Sequence, residues 1–349
     1  MLGIDRNAAR ATWTVALVLL ALALIYLART TLFVFVLALL FAYLLSPLVN
    51  LLDRILPART GRTPALALAY ILVVAAVVFA GMHIGSLVAE QAASLAKDFP
   101  HRLAQWERPS PGAPAAVNDL KQQLIGRARE QIAAHSGTLM AFVPAAGLKA
   151  VAVAGNLIHV VIVPILAFFF LKDGRAIRQQ LLGLVDDPRR RELADDLIAD
   201  IHLLLAQYMR ALVILSLAAF TVYSVFFLAI GVPYPVLLAA LGGVLEFIPM
   251  LGPLVSTVLI VAVAWVSGGN VLAVLLIMVA YRMVTDYVLS PYFMGSGVEL
   301  HPLAVLFGVF AGAEIAGIPG AFLSVPVLAL ARVVWVRVRK ARTAACTAS

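Results

Sequence analysis

Apolar residues run along this chain in long blocks separated by shorter polar stretches. Blocks at about 12–28, 31–50, 64–88, 149–171, 207–230 and 271–289 each suit a helix crossing the hydrocarbon core, which takes about 20 residues. As one helix, 11–50 would measure about 60 Å and leave Arg29 near the midplane, so the pattern predicts two spans with a tight turn at Ala28-Arg29-Thr30. The polar stretch 89–148 reads as two amphipathic helices around PSPGAP (109–114), the second marked by Val117, Leu120, Leu124, Ala128 and Ile132. In 172–206, Asp187-Pro188 makes a helix start, and Leu193, Leu197, Ile201 and Leu205 mark one apolar face.

Two blocks are too long for this scheme. Residues 235–266 and 302–334 are nearly unbroken apolar sequence, and an intact helix of either length would reach about 48 Å. Each carries a matched interruption near its middle. Glu246-Phe-Ile-Pro249-Met-Leu-Gly252, followed by Pro253, pairs with Glu314-Ile-Ala-Gly317-Ile-Pro-Gly320, both reading E-x-x-[PG]-x-x-G. Broken there, each block gives two arms of about 20 Å, enough to reach the midplane and return. One span between two such hairpins makes them enter from opposite faces, an inverted pair. Two kinked spanning helices are the alternative. The loops 267–270 and 290–302 carry no lysine or arginine to decide between them.

The fold class expected is therefore an all-α polytopic membrane protein with about six full spans plus two broken or re-entrant hairpins, or eight spans, and a small helical extracytoplasmic insert. Along the chain, 1–88 holds spans 1–3 and 89–148 the insert. Span 4 is 149–171, and 172–206 forms cytoplasmic or interfacial amphipathic helices. Span 5 is 207–230, and 231–349 is a core with the two broken helices, the intervening span and a basic tail.

Composition agrees: 63% of the 349 residues are hydrophobic and 13% charged, with mean hydropathy +1.01, against about 25% charged in soluble domains. A β-barrel would show short alternating segments, and none appear. The net charge of +8 sits at the ends of apolar blocks, which fits a cytoplasmic rim and argues against nucleic acid. Lysine and arginine at Arg6 and Arg10, 54–62, Lys172–Arg191 and Arg332–Lys340 put both termini inside and 89–148 outside. Residues 11–28 lack an A-x-A site before the next block and read as an uncleaved span. The single Cys346 lies in the tail and excludes an intrachain disulfide or thiolate cluster.

Ionisable residues at depth each cost about 3 kcal/mol or more to insert and point to function. Four stand out: Glu246, Arg282, Asp286 and Glu314. Arg282 and Asp286 are four apart on one helix and can pair. Glu246 and Glu314 have no local partner; each either bonds a backbone group freed at the break or binds a coupling ion or substrate. Asn156 and His159 in the fourth span read as packing or interhelical hydrogen bonds, with Asn156 kept as a pathway residue. Gly81/Gly85 and Gly308/Gly312 read as close helix contacts. No H-E-x-x-H, P-loop or dinucleotide motif is present, and Gly295-Ser296-Gly297 with His301 lacks the G-x-S-x-G frame, so no enzyme is expected.

FAYLLSPLVNLLDR (41–54), FFFLKDG (168–174), LEFIPMLGPL (245–254) and HPLAVLFGVFAGAEIAGIPGAFLSVPVLA (301–329) together resemble the autoinducer-2 exporter family of bacterial inner-membrane, permease-like proteins. The match runs in order along the whole chain. It implies a secondary transporter or exporter with no ATPase of its own. Some members are associated with export of the quorum signal autoinducer-2 and others with sodium/proton antiport. The expected function is export of a small polar solute coupled to a proton or sodium gradient. A sodium/proton antiporter or passive channel is the alternative, and a non-transporting membrane scaffold a further one. The expected pathway residues are Glu246, Pro249, Gly252, Pro253, Arg282, Asp286, Glu314, Gly317, Gly320 and Asn156. No cofactor or metal is expected beyond a transported proton or sodium ion. The partners are the lipid bilayer and a small solute, and the fold is compatible with a homo-oligomer.

Overall fold

The computed structural model describes residues 6–56, 62–106, 126, 157–289 and 300–347. Among these residues all regular structure is helical: α1 (Arg6–Leu27), α2 (Arg29–Ile55), α3 (Arg62–Ala80), α4 (Ser86–Trp106), α5 (Leu157–Gly183), α6 (Pro188–Ala229), α7 (Pro235–Leu245), α8 (Leu251–Val266), α9 (Val271–Val284) and α10 (Pro302–Thr347). Short π-helical segments join α3 to α4 (Gly81–Gly85) and extend α9 (Thr285–Leu289). Among the described residues, five helical stretches are long and apolar enough to cross a membrane by length and composition: Arg29–Ile55, Arg62–Phe99, Pro188–Ala229, Val271–Leu289 and Pro302–Arg339, the last interrupted at Ala316 and Gly317. The breaker at 109–114, most of the second insert helix and Asn156 lie outside the described residues.

The expected turn at 28–30 is replaced by a bend. Only Ala28 leaves helical geometry (φ −84°, ψ 2°), and helical hydrogen bonds continue from its N–H to Leu24 and from Leu32 N–H back to Ala28. Neither Gly nor Pro is present to reverse the chain there. The Arg29 guanidinium lies 4.4 Å from the centre of the Tyr26 ring, so its charge has a local partner without a turn. α1 does not fold back on α2: its apolar side chains, Trp13, Leu17, Leu20 and Leu24 among them, face outward along its length.

Several predicted elements fuse. The third span continues through its π segment into α4, so the polar insert begins as an extension of that helix. Gly81 and Gly85 lie in the π segment, and among the described residues a methyl group on either would meet nothing within 4 Å. The amphipathic helix after Asp187 and the fifth span form one helix, α6, of 42 residues. Asp187 caps it, its carboxylate accepting the Arg189 N–H at 2.9 Å, and Pro188 takes the first position.

Three apolar clusters hold the bundle. One joins the second half of α6 (Ala219, Tyr223, Phe227) to α7, α8 and α9 through Leu238, Ile260, Val274 and Met278. A second packs α2, α3 and α5 around Val49, Leu66, Ala69 and Ala167. A third packs α2 and the first half of α6 against α10 around Leu40, Met209, Leu212 and Leu323. α6 is thus the axis of the molecule, engaging α7–α9 with its C-terminal half and α10 with its N-terminal half.

Candidate functional site

Both long apolar blocks fold as antiparallel helical hairpins. In the first, α7 and α8 have 11 and 16 residues, about 16 and 24 Å, so neither arm alone crosses a 30 Å core. Its two ends lie together, since a methyl group on Gly269 would stand 3.4 Å from Pro233. In the second, α10 breaks at Ala316 and Gly317, whose φ/ψ of 65° and −147° belongs to a region open essentially to glycine alone. The arms 302–315 and 318–347 then pack back to back. A Cβ on Gly320 would fall 2.0 Å from the Gly312 carbonyl oxygen, and one on Gly308 would meet Leu328 and Ser324. The close contact expected of Gly308 and Gly312 is therefore made within this hairpin.

The hairpins start from opposite ends of α6. The first hairpin's base adjoins Val232, just past the end of α6. The second arm of the other hairpin runs on until Arg337 meets Asp200 at 2.6 Å and Asp196 at 2.9 Å, in the first third of α6. α9 with its π segment, 19 residues in all, connects the two. The first break meets the second arm of the other hairpin through Phe247 and Phe322, whose ring centres lie 6.2 Å apart.

The first break is a compact reversal over 246–250. Met250 takes a positive φ of 63° without being glycine, and Pro249 has no N–H to continue a helix. The Gly252 N–H donates to Ile248 at 2.8 Å, and a Cβ at Gly252 would overlap the Leu245 carbonyl oxygen at 1.7 Å. Just beyond, the Pro253 carbonyl accepts both the Ser256 and Thr257 hydroxyls, at 3.0 and 2.7 Å.

Glu246 sits at this break and is buried, with 8% of its surface exposed. Its Oε1 lies 3.5 Å from Nη1 of Arg282 on α9. The same guanidinium grips Asp286 one turn on, Nε to Oδ2 at 2.9 Å and Nη2 to Oδ1 at 2.7 Å. The expected Arg282–Asp286 pair is present, and Glu246, for which the sequence offers no partner, is drawn into it by the tertiary fold. One cation thus serves two carboxylates, tightly on the half-exposed side and loosely on the buried side. Burying a carboxylate is costly without a paired charge or proton, so Glu246 depends on what Arg282 does. Tyr223 and Tyr281 stack edge to face at 5.0 Å beside it, and the Tyr281 hydroxyl donates to the Leu215 carbonyl at 3.0 Å. The Ser216 hydroxyl bonds the Gly243 carbonyl at 2.7 Å, fixing α7 against α6.

Glu314 is not brought to this cluster. It stands exposed at the tip of the second hairpin, and among the described residues it has no ion pair. Gly317 forms the second break, Gly320 the arm contact, and Asn156 lies outside the described residues. The sequence reading passed over Gln91, Asp98 and Arg102 of α4, all of which bond to the base of the first hairpin. Their spacing, seven and then four residues, places them on one helix face and was the available signal.

A helical membrane protein with two opposed hairpins broken at carboxylate-bearing turns is the class defined by this geometry. The chain belongs to the AI-2E transporter family, whose description, AI-2E family transporter, matches residues 15–340. It is similar to proteins whose names read "putative transport protein". YrrI of Bacillus subtilis is 28% identical over 182 residues, 52% of this chain and 51% of YrrI. YueF of the same organism is 24% identical over 304 residues, 83% of this chain and 79% of YueF. A protein of Alkalihalophilus pseudofirmus is 22% identical over 346 residues, 92% of this chain and 86% of that protein. The chain thus spans about half the length of YrrI and most of the other two.

Proposed function

We propose that this protein is a secondary transporter that exports a small polar solute of the autoinducer-2 kind, driven by a proton or sodium gradient. The reading places it in the bacterial inner membrane with both termini cytoplasmic and the two hairpins re-entrant from opposite faces. The observation that carries it is Glu246, buried at a helix break and sharing Arg282 with Asp286. A bilayer tolerates non-helical backbone only where protein or water surrounds it, so a break at this depth fits a solute pathway. In this mechanism a proton or sodium ion arriving at Glu246 replaces the loose Arg282 contact, and Arg282 falls back on Asp286. The neutralised break can then cross the apolar part of the cycle. Glu314, exposed at the other break, stays in contact with water and does not carry the coupling ion.

The test is transport in proteoliposomes under an imposed pH or sodium gradient. The wild type moves solute with the gradient, and Glu246→Gln, which keeps the shape and removes the charge, loses the coupling. Full gradient-driven transport by that variant would refute the role of Glu246. A current linear in voltage, without gradient coupling, would identify a channel instead.

A further inference from the structure

Both ends of the first hairpin are tied by side chains of a single helix. Gln91 Oε1 accepts the Leu237 N–H at 2.9 Å, one of the first-turn donors that a helix leaves without an internal partner. The Tyr234 hydroxyl donates to Asp98 Oδ2 at 2.7 Å. Arg102 Nη1 donates at 2.5 Å to the carbonyl of Ser267, just past the C-terminus of α8, where a cation is favoured. Gln91, Asp98 and Arg102 lie along one face of α4, so α4 bridges the entry and the exit of the hairpin. Burial, with Asp98 adding to it, raises the Tyr234 hydroxyl above its ordinary range and keeps it a donor.

Without these bonds the base is poorly fixed. Tyr234 holds a left-handed φ of 59°, which a residue with a Cβ disfavours, and Gly231 and Gly268 take positive φ on either side of the hairpin. Ser267 is 4% exposed and its hydroxyl has no partner among the described residues, so its burial depends on the base staying closed. Polar bonds at a hairpin base can be exchanged for water at small net cost, whereas the apolar contacts of α7 and α8 with α6 and α9 cannot.

We infer that α4 is a releasable latch: Gln91, Asp98 and Arg102 are positioning residues that hold the first hairpin where Glu246 meets Arg282, and the transport cycle opens them. Only the last clause rests on the transporter reading. The latch is read first without transport, on full-length protein carrying Cys346→Ser and Ser267→Cys, by its rate of reaction with a water-soluble maleimide. The closed base makes this reaction slow. Asp98→Asn with Arg102→Gln raises it about tenfold, and the conservative pair Asp98→Glu with Arg102→Lys leaves it slow. In a second protein, Gln91→Cys and Leu237→Cys are bridged by a short, reducible bis-methanethiosulfonate. Gradient-driven transport falls at least about tenfold on bridging and returns on reduction. An unchanged maleimide rate in the Asn/Gln pair, or wild-type transport by the bridged protein, would overturn the latch. If no version transports, the transporter reading fails while the maleimide rates still judge the latch.

Discussion

The two hairpins carry one motif in two environments. At the first break the carboxylate is buried and paired, the base is tied to α4, and the turn is closed by a non-glycine residue at positive φ. At the second, the carboxylate is exposed, the turn rests on Gly317, and the arms are held by backbone contact between Gly312 and Gly320. Apolar packing against α6 and α9 holds the arms of the first, and polar bonds that can exchange close its base, whereas the arms of the second are closed on each other by backbone contact. A repeated sequence pattern therefore specifies the same backbone break twice but leaves the chemistry at the break to neighbours far away in the chain. That asymmetry is why the proposed coupling step is assigned to the first hairpin.

The comparison breaks most visibly at its glycines. Gly252→Ala would set a Cβ 1.7 Å from the Leu245 oxygen, and Gly320→Ala one 2.0 Å from the Gly312 oxygen. Both obstacles are backbone, so each variant is expected to lose about 3 kcal/mol or more and yield little monodisperse protein in detergent. Gly308→Ala meets the end of the Leu328 side chain, which can move, and should purify with a modest fall in Tm. Gly317→Ala meets nothing within 4 Å among the described residues and loses the backbone conformation, about 1–3 kcal/mol.

Charge removal sharpens the functional side. Glu246→Gln leaves Arg282 its two short contacts with Asp286, so the protein should fold with a Tm close to wild type while gradient coupling is lost. Glu314→Gln removes an exposed carboxylate and should keep coupling, with the transport rate within about threefold of wild type. Proteoliposome flux under a set gradient measures both. Equal losses would make the two breaks functionally symmetric and defeat the comparison. Asp286→Asn falls between them. It frees Arg282 to close on Glu246, and a firmer Arg282 contact resists the incoming proton or sodium ion, so flux should slow while coupling is kept.

Much of this was legible in the sequence because lipid permits few solutions. Block length against bilayer thickness gave an all-helical membrane protein, and the paired E-x-x-[PG]-x-x-G motifs marked where the two long blocks break. The Arg282–Asp286 pair followed from helical spacing alone. What was missed is tertiary. The Glu246–Arg282 contact joins residues 36 apart in the chain, and the α4 bonds join residues 136 to 165 apart. No periodicity reports such distances. The tight turn at 28–30 was expected from the length of 11–50 and from an unpartnered Arg29; helical bonds instead continue through Ala28, and Tyr26, one helical turn before Arg29, receives its charge.

The smallest expected effect lies at the far end of the second hairpin. Arg337 contacts Asp196 and Asp200 one turn apart on α6, a two-carboxylate grip resembling that of Arg282. All three side chains are substantially exposed, and exposed ion pairs contribute little because water and salt screen them. Arg337→Gln should therefore leave Tm nearly unchanged at low salt and indistinguishable from wild type at about 1 M salt, where the screening length falls to about 3 Å. Arg282→Gln, which strips the counter-charge from a buried carboxylate, should keep its deficit at both salt concentrations. Thermal melts of the two variants across a salt series read the difference directly. If the Arg282 deficit also vanished with salt, Glu246 would have to be solvated, and the first break would lose the burial that sets it apart from the second.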